Sequence, residues 1–323
     1  MMLCFMHSKI ENKQMESGIM YLDSQGSLKD VTTNTITKAD HYLKCDIKNI
    51  LNNGIKDENP RPRYTDGTPA HTYFVNHVMR SYNLRKEFPI CTLRPIAWKS
   101  AIKEVLWIYQ DQSNSLDMLE NKYDIHWWNE WESKDMPRTI GVRYGETVRR
   151  HDLINNLLTD IKANPYGRRH IMSLWQEDDF KNSDGLMPCA YETIWNVSGD
   201  YLDMMLIQRS GDMITASGAG GVNEVQYAAL QIMVAKATGY KPGKFTHIVA
   251  NEQIYDRHID VAKELLSRGE KLKTDHPYYK YNFKNVQMRF TAKSDNFYDF
   301  TIDDFDLVDY NPIKPQIKLE LGI

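Results

Sequence analysis

The sequence predicts a single α/β domain, and three observations carry that expectation. Apolar residues recur every three or four positions in several separate segments, as helices with one buried face require. Short apolar or alternating runs of strand character lie between those segments. No long Pro-, Gly- or Ser-rich linker intervenes, so helices and strands interleave in one unit over roughly residues 41–323. With 323 residues, 41% hydrophobic and 26% charged, the chain has enough apolar material for a sizeable core.

Residues 1–40 are rich in Ser, Thr, Asn, Asp and Lys without periodicity and predict a poorly ordered N-terminal extension. Leu43, Ile47, Ile50 and Leu51 then form a helical stripe closed by Gly54. A polar loop follows, KDENPRPRYTDGTPAHT. Trp98, Ala101, Ile102, Val105, Leu106 and Tyr109 mark a strongly apolar helix. Leu153, Ile154, Leu157, Leu158 and Ile161 mark another that stops at Asn164-Pro165. RRHIMSLW, YETIWNV and YLDMMLIQRS read as strands. Val225, Ala228, Ala229, Ile232 and Met233 predict a helix ending by Gly239, and Ile254, His258, Val261 and Leu265 one running to Gly269. VQMRF and DLVDY return to strand.

A net charge of −3 argues against general affinity for DNA, RNA or acidic membrane, so any basic site must be local. The four cysteines, Cys4, Cys45, Cys91 and Cys189, are scattered without a CxxC pair, which fits free thiols in a reducing compartment and no metal site. The apolar start, MMLCFM, is too short for a signal segment, and no stretch approaches the roughly 20 apolar residues of a membrane span. A cytoplasmic protein is expected.

Four places could carry chemistry. A lone cysteine such as Cys189 is ordinarily an inert buried residue, and as a nucleophile it needs activating neighbours. Arg168 and Arg169, and the strand end Gln208, Arg209, Ser210 and Asp212, read singly as solvated charges. Together they offer the planar donors a phosphate prefers, and a charge that favours a thiolate. Glu104 projects between Trp107 and Ile108 on its helix, so its carboxyl is partly desolvated, as a proton-transfer group or as a structural ion-pair partner. Asn223, with Gln226 three residues on, reads equally as a helix N-cap or as a ligand contact. His258 reads as a core histidine, and ASGAGG (216–221) as a flexible turn.

Taken in order, AIKEVLWIYQ, WWNEW, VRYG, GRRHIMSLWQ, MPCAYETIW, LIQRSGDM, VNEVQYAAL and QIYDRHID resemble the thymidylate synthase family along roughly residues 41–323. The resemblance implies a twisted mixed sheet flanked by helices, packed against a second copy in a homodimer. It also implies reductive methylation of dUMP to dTMP by 5,10-methylenetetrahydrofolate, with no metal. By motif, Cys189 resembles the nucleophile, Glu104 and Tyr144 the groups that organise proton transfer, and Asp212 a folate contact facing the base. Arg209, Ser210 and Arg63 resemble phosphate ligands, with Gln208 beside them. The spacing to Gly67-Thr68 suits Arg63 better than Arg61. Arg168 and Arg169 resemble the pair supplied by the partner subunit. Asn223 resembles the residue that reads uracil, and Gln253 and Tyr255 lie in the ribose motif. Trp128, Trp131, Arg94 and the terminal Ile323 resemble folate-side residues.

The chain departs from the family pattern at Ala190, Asn251, Gln253 and Gly322, and in a glycine-rich stretch from Asp212 to Asn223 that is three residues longer than usual. Two other readings share the thiol or the fold: a pyrimidine nucleotide hydroxymethylase, which ends with water in place of hydride, and a non-catalytic nucleotide- or RNA-binding relative.

Overall fold

A computed structural model describes residues 19–22, 28–31, 36–269, 284–317, 319, 320 and 322. Within the stretch expected to lack order, β1 (Ile19–Leu22) and β2 (Leu28–Val31) pair as an antiparallel hairpin, and the remainder of residues 1–35 lies outside the described residues. The first helix, α1 (Lys38–Asn53), starts three residues before the expected His41. Thr37 and Asp40 cap it reciprocally: Thr37 Oγ1 accepts from Asp40 N at 3.1 Å and Asp40 Oδ2 from Thr37 N at 2.9 Å. Asp40 also accepts from the backbone and hydroxyl of Thr92, so the end of the extension is tied into the domain.

The other elements are β3 (Ile55–Lys56), β4 (Thr72–Asn83), α2 (Trp98–Tyr109), α3 (Leu116–Tyr123), α4 (Gly145–Arg150), α5 (Leu153–Ala163), β5 (Ile171–Ser173) and α6 (Glu177–Phe180). Then come β6 (Ala190–Ser198), β7 (Tyr201–Gln208), β8 (Gly211–Asp212), α7 (Val222–Thr238), β9 (Lys241–Tyr255), α8 (Ile259–Ser267), β10 (Gln287–Phe290) and β11 (Phe305–Val308). One mixed sheet runs in the order β3-β4-β9-β7-β6-β5, with β8 alongside β9. The β7–β9 and β8–β9 pairs are parallel and the others antiparallel.

Three expected helices, those containing Leu43, Trp98 and Leu153, form where periodicity places them. The Val225 helix does too, and Gly239 at φ +84° closes it. The helix expected from Ile254 is corrected: Ile254 belongs to β9, and α8 starts at Ile259 after a 3-10 turn over Asp256–His258. Strands β4 and β9 were not foreseen because their inward faces carry Arg80, His247 and Glu252, which break the apolar alternation.

Helix α7 lies buried against the inner face of the sheet, with α2 and α5 packed on it. On the opposite sheet face, apolar residues stand among polar ones such as Ser81, Asp203 and Thr246. Cross-strand neighbours Ile207, Ile248 and Met79 form one stripe, and Ile171, Ile194 and Met205 another; Met79 is 65% and Ile171 51% exposed. No helix of the described residues is long and apolar enough to cross a membrane.

Candidate active site

Cys189 immediately precedes β6, whose pairing with β7 carries a register shift between Ala190 and Glu192. The antiparallel return of β7 brings Arg209 beside it. Arg209 N donates to Cys189 O at 2.9 Å, while its guanidinium donates to Pro188 O (3.0 Å) and Met187 O (2.8 Å) and stands 3.5 Å from the sulfur. Tyr144 OH accepts from Cys189 N at 3.3 Å. Tyr144 opens α4 with φ at +47°, a conformation rare outside glycine and common at working sites.

Burial pushes the Cys189 thiol above its ordinary range, and the positive charges of Arg209 and Arg61 offset only part of that. Of the arginines expected nearby, Arg63 turns away: it is bonded to Gly67 O at 3.1 Å, and Arg61 is the one whose charge bears on Cys189 and Tyr255. Arg168 and Arg169 are exposed before the edge strand β5, with no hydrogen bond or ion pair from their side chains to the described residues.

Glu104 is 5% exposed on α2, and burial raises its pKa as its helical position foretold. Trp127 Nε1 donates to Glu104 Oε2 at 2.6 Å, and the polar side chain of Gln226 likewise favours the charged form. Neither partner was foreseen, although Trp127 adjoins Trp128 in WWNEW. Three tyrosines complete this side. Tyr227 OH donates to Ala190 O (3.1 Å), Tyr109 OH donates to Tyr227 OH (3.3 Å), and burial pushes Tyr144 well above and Tyr227 up to about 12.

Asn223 is no N-cap: α7 is capped by Gly221, and Asn223 lies inside its first turn. Its Oδ1 accepts from Ser217 Oγ at 2.8 Å and its Nδ2 donates to Gln226 Oε1 at 3.0 Å. Gln208, 1% exposed, donates to Ser217 Oγ (2.7 Å) and Ser210 O (2.9 Å). The glycine-rich stretch is not a flexible turn but a buried one, following a π-helical turn over Met213–Ser217. Gly220, at φ +67°, accepts from Cys91 N at 3.0 Å, so close that a Cβ there would lie 2.2 Å from that nitrogen.

The Asp212 carboxylate accepts from Ile214 N (3.1 Å), Thr215 N (3.3 Å) and Thr215 Oγ1, and burial raises its pKa. Arg94 is buried against Thr215 O at 3.1 Å, leaving its Nε without an acceptor. Trp128, packed edge-on to Trp131 (5.7 Å) and Tyr144 (5.1 Å), likewise has an unpartnered buried Nε1. Such orphaned donors fit a polar ligand on this side. Tyr255 ends β9 with its pKa pushed up to about 12 by burial, Gln253 is half-buried beside Asp212 in the ladder, and Ile323 lies outside the described residues. His258 is a core histidine, 2% exposed, bonded to Glu320 O at 2.7 Å. Among the described residues, no three or more His, Cys, Asp or Glu side chains gather as a metal site would need.

A family model described as thymidylate synthase matches residues 40–323. The chain is 48% identical over 293 residues to the thymidylate synthase of Streptococcus sanguinis (strain SK36), covering 89% of this chain and 100% of that protein. It is 48% identical over 296 residues to that of Streptococcus pneumoniae (strain 70585), with the same coverage. The solved structure of thermostable thymidylate synthase A from Bacillus subtilis superposes with a TM-score of 0.76 at 36% identity, covering 88% of this chain and 99% of that one. By sequence along nearly its whole folded length and by fold, the chain belongs to the thymidylate synthase family.

Proposed function

We propose that Cys189 is the nucleophile with which this chain carries out the reaction of its family, the reductive methylation of dUMP to dTMP with 5,10-methylenetetrahydrofolate. The observation that supports it best is the Arg209 guanidinium 3.5 Å from the Cys189 sulfur, on the strand end that carries Gln208, Ser210 and Asp212. The thiolate adds to uracil C6, and the C5–C6 π pair shifts toward O4, so charge gathers on O4 and C5 becomes nucleophilic. When bound, 5,10-methylenetetrahydrofolate supplies the carbon and the hydride that become the C5 methyl group, and it leaves as dihydrofolate.

The chain's own residues bind and move protons around that chemistry. Asn223 donates to O4 and accepts from N3–H, a pattern cytosine does not match. Glu104, held by Trp127 and Gln226, manages the proton at O4. Tyr144 relays the C5 proton, whose loss accompanies expulsion of the sulfur from C6. Arg209, Ser210 and Arg61 hold the phosphate, with Arg61 taking the part expected of Arg63. Tyr255 and Gln253 face the ribose. Arg94, Trp128, Trp131, Asp212 and Ile323 serve the folate side. The exposed Arg168 and Arg169 reach the phosphate of a second copy, and the sheet face of Met79, Ile171, Ile194, Met205, Ile207 and Ile248 is where the two copies meet. Free Cys45, Cys91 and Cys189 suit a cytoplasmic enzyme.

Neither the hydroxymethylase nor the non-catalytic reading is favoured by matches to thymidylate synthases over the full catalytic length. Incubation with dUMP and 5,10-methylenetetrahydrofolate tests the assignment: equal amounts of dTMP and dihydrofolate are expected. A hydroxymethylated nucleotide by mass spectrometry, or no dihydrofolate absorbance, counts against it.

A further inference from the structure

The buried polar side chains behind Asn223 form a hydrogen-bond chain in which every donor points the same way. His247, fully buried on β9, faces Gln208 Oε1 with its Nε2 at 3.0 Å. The Gln208 amide cannot be reversed, because its nitrogen donates to Ser210 O, a carbonyl that only accepts. His247 Nε2 must therefore be the donor. The second Gln208 N–H goes to Ser217 Oγ, which leaves the Ser217 proton for Asn223 Oδ1. Asn223 Nδ2 then donates to Gln226 Oε1, and the Gln226 side chain in turn favours the charged form of the Glu104 carboxyl. On its far side His247 Nδ1 meets Glu224 Oε1 at 3.1 Å; with Nε2 already donating, that contact is a hydrogen bond only when the ring is an imidazolium or Glu224 carries the proton, and Glu224 is also held by Gly220 N (2.7 Å) and Arg80 (3.3 Å).

We infer that Ser217 and His247 are specificity-determining positioning residues: through Gln208 they fix which end of the Asn223 amide faces which part of the pyrimidine. This rests on the reading that Asn223 recognises the base. In the fixed orientation Asn223 keeps one N–H for O4 and one lone pair for N3–H, which matches uracil. Cytosine, with a donor at C4 and an acceptor at N3, needs the amide reversed. Reversal would set Asn223 Oδ1 against Gln226 Oε1 and leave the Ser217 proton facing an NH2 group, and Ser217 and Gln226 are each only 4% exposed. Ser217 is delivered by the buried glycine-rich segment, so that lengthened stretch acquires a role in base selection.

The test is calorimetric binding of dUMP and of dCMP to the full-length enzyme and its variants, with melting curves to verify folding. Ser217→Ala removes one hydroxyl from a packed turn and is expected to lower the preference for dUMP over dCMP by about tenfold, the scale of one misplaced buried hydrogen bond. His247→Phe should shift the ratio in the same direction, and His247→Gln, which restores a donor at the Nε2 position, should bring it back. Asn223→Asp separates the two levels of the argument. If it moves the ratio and Ser217→Ala does not, the positioning inference is overturned. If neither moves it, the base-reading role of Asn223 fails with it. His247→Phe and His247→Gln giving the same ratio would remove His247 from the head of the chain, and should His247→Phe not fold, Ser217→Ala decides alone.

Discussion

The guanidinium of Arg209 lies 3.5 Å from the sulfur of Cys189 and also holds the carbonyls of Met187 and Pro188, so one side chain both shapes the turn that presents the thiol and sets the charge beside it. Burial raises the thiol pKa and Arg209 is the largest force pulling it back. Removing that cation must raise the pKa further. Alkylation of Cys189 by iodoacetamide, followed peptide by peptide, should have its pH midpoint above the ordinary thiol range of about 8.5. Arg209→Ala should slow it at neutral pH by about tenfold, equivalent to ~1.4 kcal/mol.

Glu104 offers a prediction with two signs. Its pKa is raised by burial, so the pH profile of kcat should show an inflection above the ordinary glutamate value of about 4.3, and Glu104→Gln should lose that inflection along with about a hundredfold in kcat. For stability, a carboxyl whose folded pKa is raised contributes fully below its unfolded pKa and loses that contribution as pH rises through the folded value. Glu104→Gln should therefore melt higher than the parent at pH 8, with the gap closing toward pH 4. A variant less stable than the parent at pH 8 would show that Trp127 and Gln226 outweigh the desolvation.

Gly220→Ala should be among the most damaging single-methyl changes in the chain. The added Cβ meets Cys91 N at 2.2 Å and φ is +67°, so strain and overpacking act together and the expected loss is about 2 kcal/mol or more. Denaturant unfolding of the variant measures it directly. Gly199→Ala is the control, since its φ is +62° but no atom lies within 4 Å of the added carbon.

The shared-site proposal predicts complementation. An Arg168→Ala/Arg169→Ala double variant and Cys189→Ala should each be inactive, and mixing them under conditions that exchange subunits should recover turnover. Ile171→Asp, which puts a charge on the sheet face opposite α7, should shift the protein toward monomer by light scattering and abolish that recovery. Full activity in a monodisperse monomer would contradict it.

Much of this was legible in the sequence wherever one face of an element is apolar. The helices carrying Leu43, Trp98 and Leu153 announce themselves through period, and the same period places Glu104 between the apolar neighbours Trp107 and Ile108. Strands β4 and β9 were hidden because Arg80, His247 and Glu252 fill inward positions that periodicity reserves for apolar side chains, and because the ladder skips His77, whose φ is +60°. The choice between Arg61 and Arg63 turned on spacing along the chain, whereas the isolated bridge Arg63–Pro69 fixes which arginine folds back on its own loop. Asn223 resembled a cap because local pattern cannot reveal Ser217 and Gln208 waiting on other elements.

The central claim is that the sulfur of Cys189 bonds to C6 of the pyrimidine. Peptide mass spectrometry after incubation with 5-fluoro-dUMP and 5,10-methylenetetrahydrofolate measures this most directly, because fluorine at C5 cannot leave as a proton does and the complex stays covalent. The account predicts the combined mass of nucleotide and folate on the peptide containing Cys189, and none in Cys189→Ala. An unmodified Cys189 peptide from enzyme that still turns over dUMP would contradict it.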